Sequence, residues 1–391
     1  MVVLLVLAAG AALVGLRSWS GDRPAAPPAA GTSSPDPGIV LRTVPPPDPP
    51  CSGCPTVRFR LTAREGYGPD GVRLVTSGSR PAVLDLRTGR AAPLPGLSLT
   101  GGQVARAYPV PGGLVAVVAT TEGSPVGAYL LRDSGQTVRL GRFDVAVPGQ
   151  DGGILAYDVA YERPPPGHLV SFGPDGRMRW QRSIPAPMEI VRDTPYGLLV
   201  HQALESNRAG QPLRLVDPRT GAVRWNLGSA LAVLASTDQQ VAWLPDSCDQ
   251  EGSCPVVVTD LRTQHTEQYA PPLGRTPSTA AFSPHGQFAV GVGGLHDFVP
   301  SGPGSVRDGF VALLDPASGR FRRLPGLSTQ AKHTPALGWS PDGEWLLMAV
   351  QPDDRHDLLV LWHRGQRGLT VLPTVLPAWT LSSGQGLVVR H

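Results

Sequence analysis

Short apolar runs recur along the chain, and each follows a polar turn. They read G-L-V-A-V-V-A at 113–119, G-I-L-A-Y-D-V at 153–159, Y-G-L-L-V-H at 196–201 and Q-V-A-W-L at 240–244, with F-A-V-G-V at 288–292 and W-L-L-M-A-V at 345–350. Two of the turns are explicit: A-F-S-P-H-G-Q at 281–287 and G-W-S-P-D-G-E at 338–344. Pro at the second turn position with Gly at the fourth is the signature of a type I turn. The pattern predicts short strands joined by tight turns.

A second element alternates with the first: an apolar strand, a turn holding Asp and Gly, and a second strand. Its clearest copies are V-L-D-L-R-T-G-R at 83–90, L-V-D-P-R-T-G-A-V-R-W at 215–225 and L-L-D-P-A-S-G-R-F-R-R-L at 313–324. Weaker copies stand at 130–136, 171–180, 258–265 and 361–368. Gly accepts the positive φ such a turn demands, and Asp accepts backbone N–H bonds inside it. Asp85, Asp217, Asp260 and Asp315 are therefore turn residues rather than catalytic carboxylates. The turn residues Gly89, Gly135, Gly176, Gly221, Gln264, Gly319 and Gly365 are 46, 41, 45, 43, 55 and 46 residues apart. That period is the size of a four-stranded propeller blade. The expected fold is all-β: a single β-propeller, with seven blades favoured over eight or six. Blades start near Val57, Gln103, Phe143, Met188, Ala230, Ser278 and Pro335. The tail 377–391 supplies two more strands that pair with N-terminal strands to close the ring.

The S-P-D-G turn before an apolar strand resembles the repeat of TolB-like and WD-repeat-like propellers. The L-x-D-x-x-T-G-x-x-x-W form at 215–225 resembles blades of pyrroloquinoline-quinone-type propellers. The resemblance covers about 57–391, at the level of the blade. It implies a fold and no particular activity, because propellers host many. A quinoprotein would also require a metal and cofactor constellation that the sequence does not offer, so no cofactor is expected.

Three regions follow. Residues 1–17 hold an apolar run closed by Arg17, which suits a signal peptide core or a membrane anchor and is short for a span of about 20 residues. The basic residues that usually precede such a run are missing, so the start is expected upstream of Met1. Residues 18–50 carry ten prolines and few large apolar side chains; such a stretch cannot bury a core and reads as a stalk. Residues 51–391 are the propeller. The expected location is the cell membrane, with the propeller extracytoplasmic; secretion after cleavage and a cytoplasmic location are the alternatives.

Four cysteines form two close pairs, Cys51/Cys54 and Cys248/Cys254. Outside the cytoplasm they read as local disulfides; a zinc site and free thiols remain the alternatives. The chain holds 47 glycines and 43 prolines, as many tight turns require. Charged residues make up 17%, and the net charge is +3, which argues against a nucleic-acid binder with its concentrated basic face. Thirty-three of the 34 basic residues are arginines, Lys332 being the exception; this is read as coding bias.

In a propeller of this connectivity the first-to-second and third-to-fourth strand turns share one face. The second-to-third and fourth-to-first loops share the other. The repeated turns make the first face structural. The irregular loops at 160–167, 203–211, 245–254, 293–309 and 351–357 make the second a candidate binding face, unless they are tolerated insertions. Its candidate residues are His296, Asp297, Phe298, Arg307, Asp308, Asp353, Asp354, Arg355, His356 and Asp357. Phe298 offers an apolar anchor or tucks onto its own blade. The pairs His296/Asp297 and His356/Asp357 are of metal-ligating type, but no third spacing supports a metal, and none is expected. The loop charges are mostly acidic, which favours a cationic partner or a divalent ion over nucleic acid. No G-x-S-x-G elbow, phosphate loop or dinucleotide fingerprint occurs, and no catalytic residue is identified. The expected function is non-enzymatic: a monomeric propeller acting as a scaffold that binds a protein or cell-envelope ligand. The alternatives are a propeller enzyme (lyase, glycan-active protein or cofactor-dependent dehydrogenase) and a membrane sensor.

Overall fold

The computed structural model describes residues 40–42, 59–97, 99, 102–120, 125–158, 167–184, 189–201, 211–248, 254–293, 309–329, 334–353, 356–377 and 387–390. They form seven antiparallel blades, each of four strands named here A to D from the inside outward. Blade 2 is Gly102–Val110, Gly113–Thr120, Pro125–Arg132 and Thr137–Gly141. Blade 3 runs from Val145–Pro148 to Met178–Ile184, and blade 6 from Thr279–Phe282 to Arg320–Arg323. Blade 7 runs from Ala336–Trp339 to Leu369–Pro377. Blades 4 and 5 share the 14-residue strand Val223–Ser236. Its first half, to Ala230, pairs with Gln211–Val216 as the outer edge of blade 4. From Ala230 onward it pairs with Gln240–Pro245 as the inner strand of blade 5.

The seven inner strands touch one another in sequence around the ring, including blade 7 to blade 1 and blade 1 to blade 2. Each interface between neighbouring blades holds one apolar cluster. Strand B of blade 2 shows how: Val115 and Val117 pack toward blade 3, whereas Leu114, Ala116 and Val118 pack toward blade 1. Because successive side chains point to opposite faces of a sheet, a blade between two neighbours must be apolar on both. That is why the second strands read as unbroken apolar runs rather than alternating ones.

The turn chemistry is as the repeat predicts. All seven marked turn residues have positive φ, between 61° and 84°, including Gln264, the single departure from Gly. The S-P-x-G turns place Gly286 and Gly343 at φ 78° and 70°.

Closure combines a confirmation and a correction. The C-terminal strand Val388–Arg390 pairs with Arg73–Val75 and supplies the inner strand of blade 1, and Arg390 pairs with Asp133 of blade 2. The other predicted tail strand falls outside the described residues. Blade 1 therefore does not begin near Val57. Phe59–Glu65 instead pairs parallel with the outer strand of blade 7 and antiparallel with Leu327–Thr329 and Val40–Arg42. Its Phe59, Leu61 and Ala63 are buried in the cluster between blades 6 and 7. The remaining six predicted starts lie within two residues of the observed inner strands, which begin at Gly102, Val145, Glu189, Ala230, Thr279 and Ala336.

Candidate functional site

The aspartates of the repeated turns are occupied by the backbone of their own turns. The Asp217 Oδ1 accepts N–H bonds from Arg219 and Thr220, both at 2.8 Å, and its other oxygen meets Arg224. Asp260 accepts from Arg262 and Thr263 at 2.9 and 2.7 Å. Asp85 does the same with Thr88 at 2.9 Å, and Asp315 with Ala317 at 3.1 Å. Donors aimed at a carboxylate favour its charged form. All four acids are accordingly held below the ordinary range: Asp217, Asp260 and Asp85 chiefly by backbone N–H groups, Asp315 chiefly by the Ser318 hydroxyl.

The loop face is built differently. A disulfide joins Cys248 and Cys254, with Cα atoms 5.0 Å apart, in the B–C connection of blade 5. One end is pinned by the strand that blades 4 and 5 share, the other by the connection between blades 5 and 6. The Asp246 N–H donates to Ser229 O at 3.1 Å, and the Cys254 N–H donates to Thr276 Oγ1 at 3.1 Å. From the same connection between blades 5 and 6, Arg275 donates to Gly293 O, where the long blade 6 loop departs. The Arg275 guanidinium also lies over the Phe310 ring, 5.5 Å from its centroid, at the start of the strand to which that loop returns. Blade 5 thus carries a stapled loop, and blade 6 a loop with an anchored base.

The candidate residues divide three ways. His296, Asp297, Phe298, Arg307, Asp308, Asp354, Arg355, Cys51 and Cys54 fall outside the described residues, as does the side chain of Asp353. His356 is exposed. Asp357 is not a surface loop residue: it is 2% exposed, within the strand His356–His363. The strand Trp345–Asp353 correspondingly runs on until Asp353 pairs with His356. Beside it Gln351 is buried, and neither atom of its amide has a hydrogen-bond partner among the described residues. Among the described residues, no group of three His, Cys, Asp or Glu side chains is placed to hold a metal ion.

Sequence reading missed a polar group in the inner strands. Arg106 of blade 2 reaches Glu189 of blade 4, Nη2 to Oε1 3.5 Å, passing over the intervening inner strand of blade 3. Tyr108 packs against the clusters on both sides of blade 3. Its phenol is pushed up to about 12, mainly by burial. On the turn-face side of Glu189, Arg192 pairs with Asp238 of blade 5 at 2.8 Å. Asp193 accepts the Gln150 N–H at 2.9 Å, and burial raises its pKa. The available signal was charged residues within inner strands, such as G-Q-V-A-R-A-Y-P-V at 102–110.

A ring of seven four-stranded blades defines a β-propeller, and solved structures agree. The chain is similar to a putative 6-phosphogluconolactonase from Bacteroides fragilis, with a TM-score of 0.51 and 12% identity over 81% of this chain and 97% of that one. A second putative 6-phosphogluconolactonase, from Bacteroides uniformis, matches with a TM-score of 0.50 and 12% identity, covering 81% and 99%. TolB from Acinetobacter baumannii matches with a TM-score of 0.44 and 15% identity, covering 82% of this chain and 65% of TolB. At such identities the likeness is one of fold. No family model matches the chain, and no curated protein does.

Proposed function

We propose that this propeller is a binding scaffold held at the outer side of a cell membrane by its N-terminal segment, and that its loop face takes a protein or cell-envelope ligand. One observation carries the reading: Asp85, Asp217, Asp260 and Asp315 of the repeated turns bond their own backbone, whereas the blade 5 loop is stapled and the base of the blade 6 loop is held by Arg275. Loops fixed at the base on a rigid ring are how many folds present binding groups. The Cys248–Cys254 bridge supports an oxidising compartment, and the apolar run 2–16 with its Pro-rich stalk supports a tether. The test is recovery of partners from envelope extracts with the full chain, compared with a chain lacking residues 295–306. The reading requires a partner that the intact chain retains and the deletion loses. Equal recovery by both removes the blade 6 loop from the site.

A further inference from the structure

We propose that the central channel of the ring holds a second site, for a small zwitterion bearing a carboxylate and an ammonium group, such as a free amino acid. Arg106 and Glu189 both stand on inner strands, on blades 2 and 4, and their side chains meet across the inner strand of blade 3. A contact that skips one blade in this way runs along the channel wall. Both side chains are partly exposed there, 30% and 41%.

The pair is poorly closed. Nη2 and Oε1 are 3.5 Å apart, beyond the 2.7–2.9 Å of a well-made charged hydrogen bond. Arg106 Nη1 is buried and has no hydrogen-bond partner among the described residues. A guanidinium carries five N–H donors; this one meets Glu189 and the Tyr108 phenol, and Nη1 is left without an acceptor among the described residues. The backbone supplies the placement. The inner strand of blade 2 shifts register between Val104 and Arg106, and that of blade 4 between Ile190 and Arg192. The inner strand of blade 5 shifts as well, between Ala230 and Ala232 and between Val233 and Ala235, whereas those of blades 1, 3, 6 and 7 pair without a shift. Bulges of this kind re-aim side chains.

Charge selects the ligand class. The site offers one cation and one anion, while Arg192 is already paired with Asp238. A simple anion meets Glu189, and a simple cation meets Arg106. A zwitterion replaces one long contact with two short ones: its carboxylate accepts from Arg106 after the guanidinium turns Nη1 toward the channel, and its ammonium donates to Glu189. Tyr108, two residues on from Arg106 and half-buried, packs against the clusters on both sides of blade 3 and shares a hydrogen bond with Arg106.

The experiment titrates the full chain with glycine, acetate, methylammonium and acetamide at matched ionic strength. It follows the arginine side-chain 15N–1H resonances and the melting temperature. The proposal expects glycine to shift one guanidinium resonance saturably and to raise the melting temperature. It expects acetate and methylammonium to bind at least about tenfold more weakly, the worth of one charged hydrogen bond. Arg106→Gln should abolish the glycine response, and Glu189→Gln should bring acetate level with glycine. Acetate equal to glycine on the unsubstituted chain overturns the zwitterion assignment, and so does a glycine response unchanged in either variant. The absence of any saturable response to glycine overturns the site. The resonance arm needs no variant, so the titration stays decisive even where Arg106→Gln misfolds.

Discussion

The two faces of the ring use similar residues to opposite ends. On the turn face, Asp217 sits among Arg219, Thr220 and Arg224, and every one of those contacts closes the turn itself. On the loop face, Ser229 of the strand that blades 4 and 5 share, and Thr276 and Arg275 of the connection between blades 5 and 6, reach across and pin the bases of loops. Local bonds make a turn that can be repeated in blade after blade, whereas cross-connection bonds make one particular surface. Three residues separate Asp217 from Thr220, and 22 separate Cys254 from Thr276. The division holds for the repeated turns and not for the whole face: His285 meets Asp342 O at 2.8 Å and the Gln150 N–H donates to Asp193 at 2.9 Å, both between turns of neighbouring blades.

The largest effect expected from this contrast is on binding. Removing residues 295–306 should abolish retention of a loop-face partner while leaving the melting temperature unchanged, as pull-down and calorimetry on the same preparation would show. The turn face should behave inversely. Gly319 has φ +64°, so Gly319→Val forces a β-branched residue into the left-handed region and should destabilise the fold by about 1–3 kcal/mol. Denaturant unfolding measures this, and partner affinity per folded molecule should not change. Replacing both Cys248 and Cys254 by Ser should cost about 2 kcal/mol, the closure entropy of so small a ring. Here affinity should fall as well, since the staple shapes the loop.

The smallest effect is on pH dependence. Asp85, Asp217, Asp260 and Asp315 have folded pKa values below their unfolded ones. Their contribution is complete above the unfolded value, about 4, and is lost as pH falls through the lowered folded values. Asp193, raised by burial, has the opposite sign: its share of stability improves as pH falls through its raised value. Unfolding midpoints across acid pH should therefore decline less steeply in Asp217→Asn and lose the opposing component in Asp193→Asn.

The turns were legible because their chemistry is confined to a few consecutive residues. Even Gln264 could be recognised, since the D-L-R-T context survives where the Gly does not. Inner strands were legible to within two residues for six blades. The seventh failed at Phe59–Glu65, whose in–out alternation fits any sheet edge; nothing in F-R-L-T-A-R-E states that the edge belongs to blade 7. Asp357 misled for a related reason. Its neighbours in Q-P-D-D-R-H-D suggest a solvated loop, yet Asp353 pairs with His356 and Asp357 lies inside the next strand. Arg106 and Glu189 were illegible as a pair, because only ring geometry brings residues 83 positions apart together.

Partners should meet the loop face and not the turn face, and crosslinking can ask this of each face separately. One photo-crosslinking residue is placed at Asp246, exposed on the loop face, or at Arg219, exposed on the turn face, in the full chain in its native envelope. A discrete crosslinked species is expected from position 246 and none from position 219. A discrete species from position 219 alone would contradict the loop-face site.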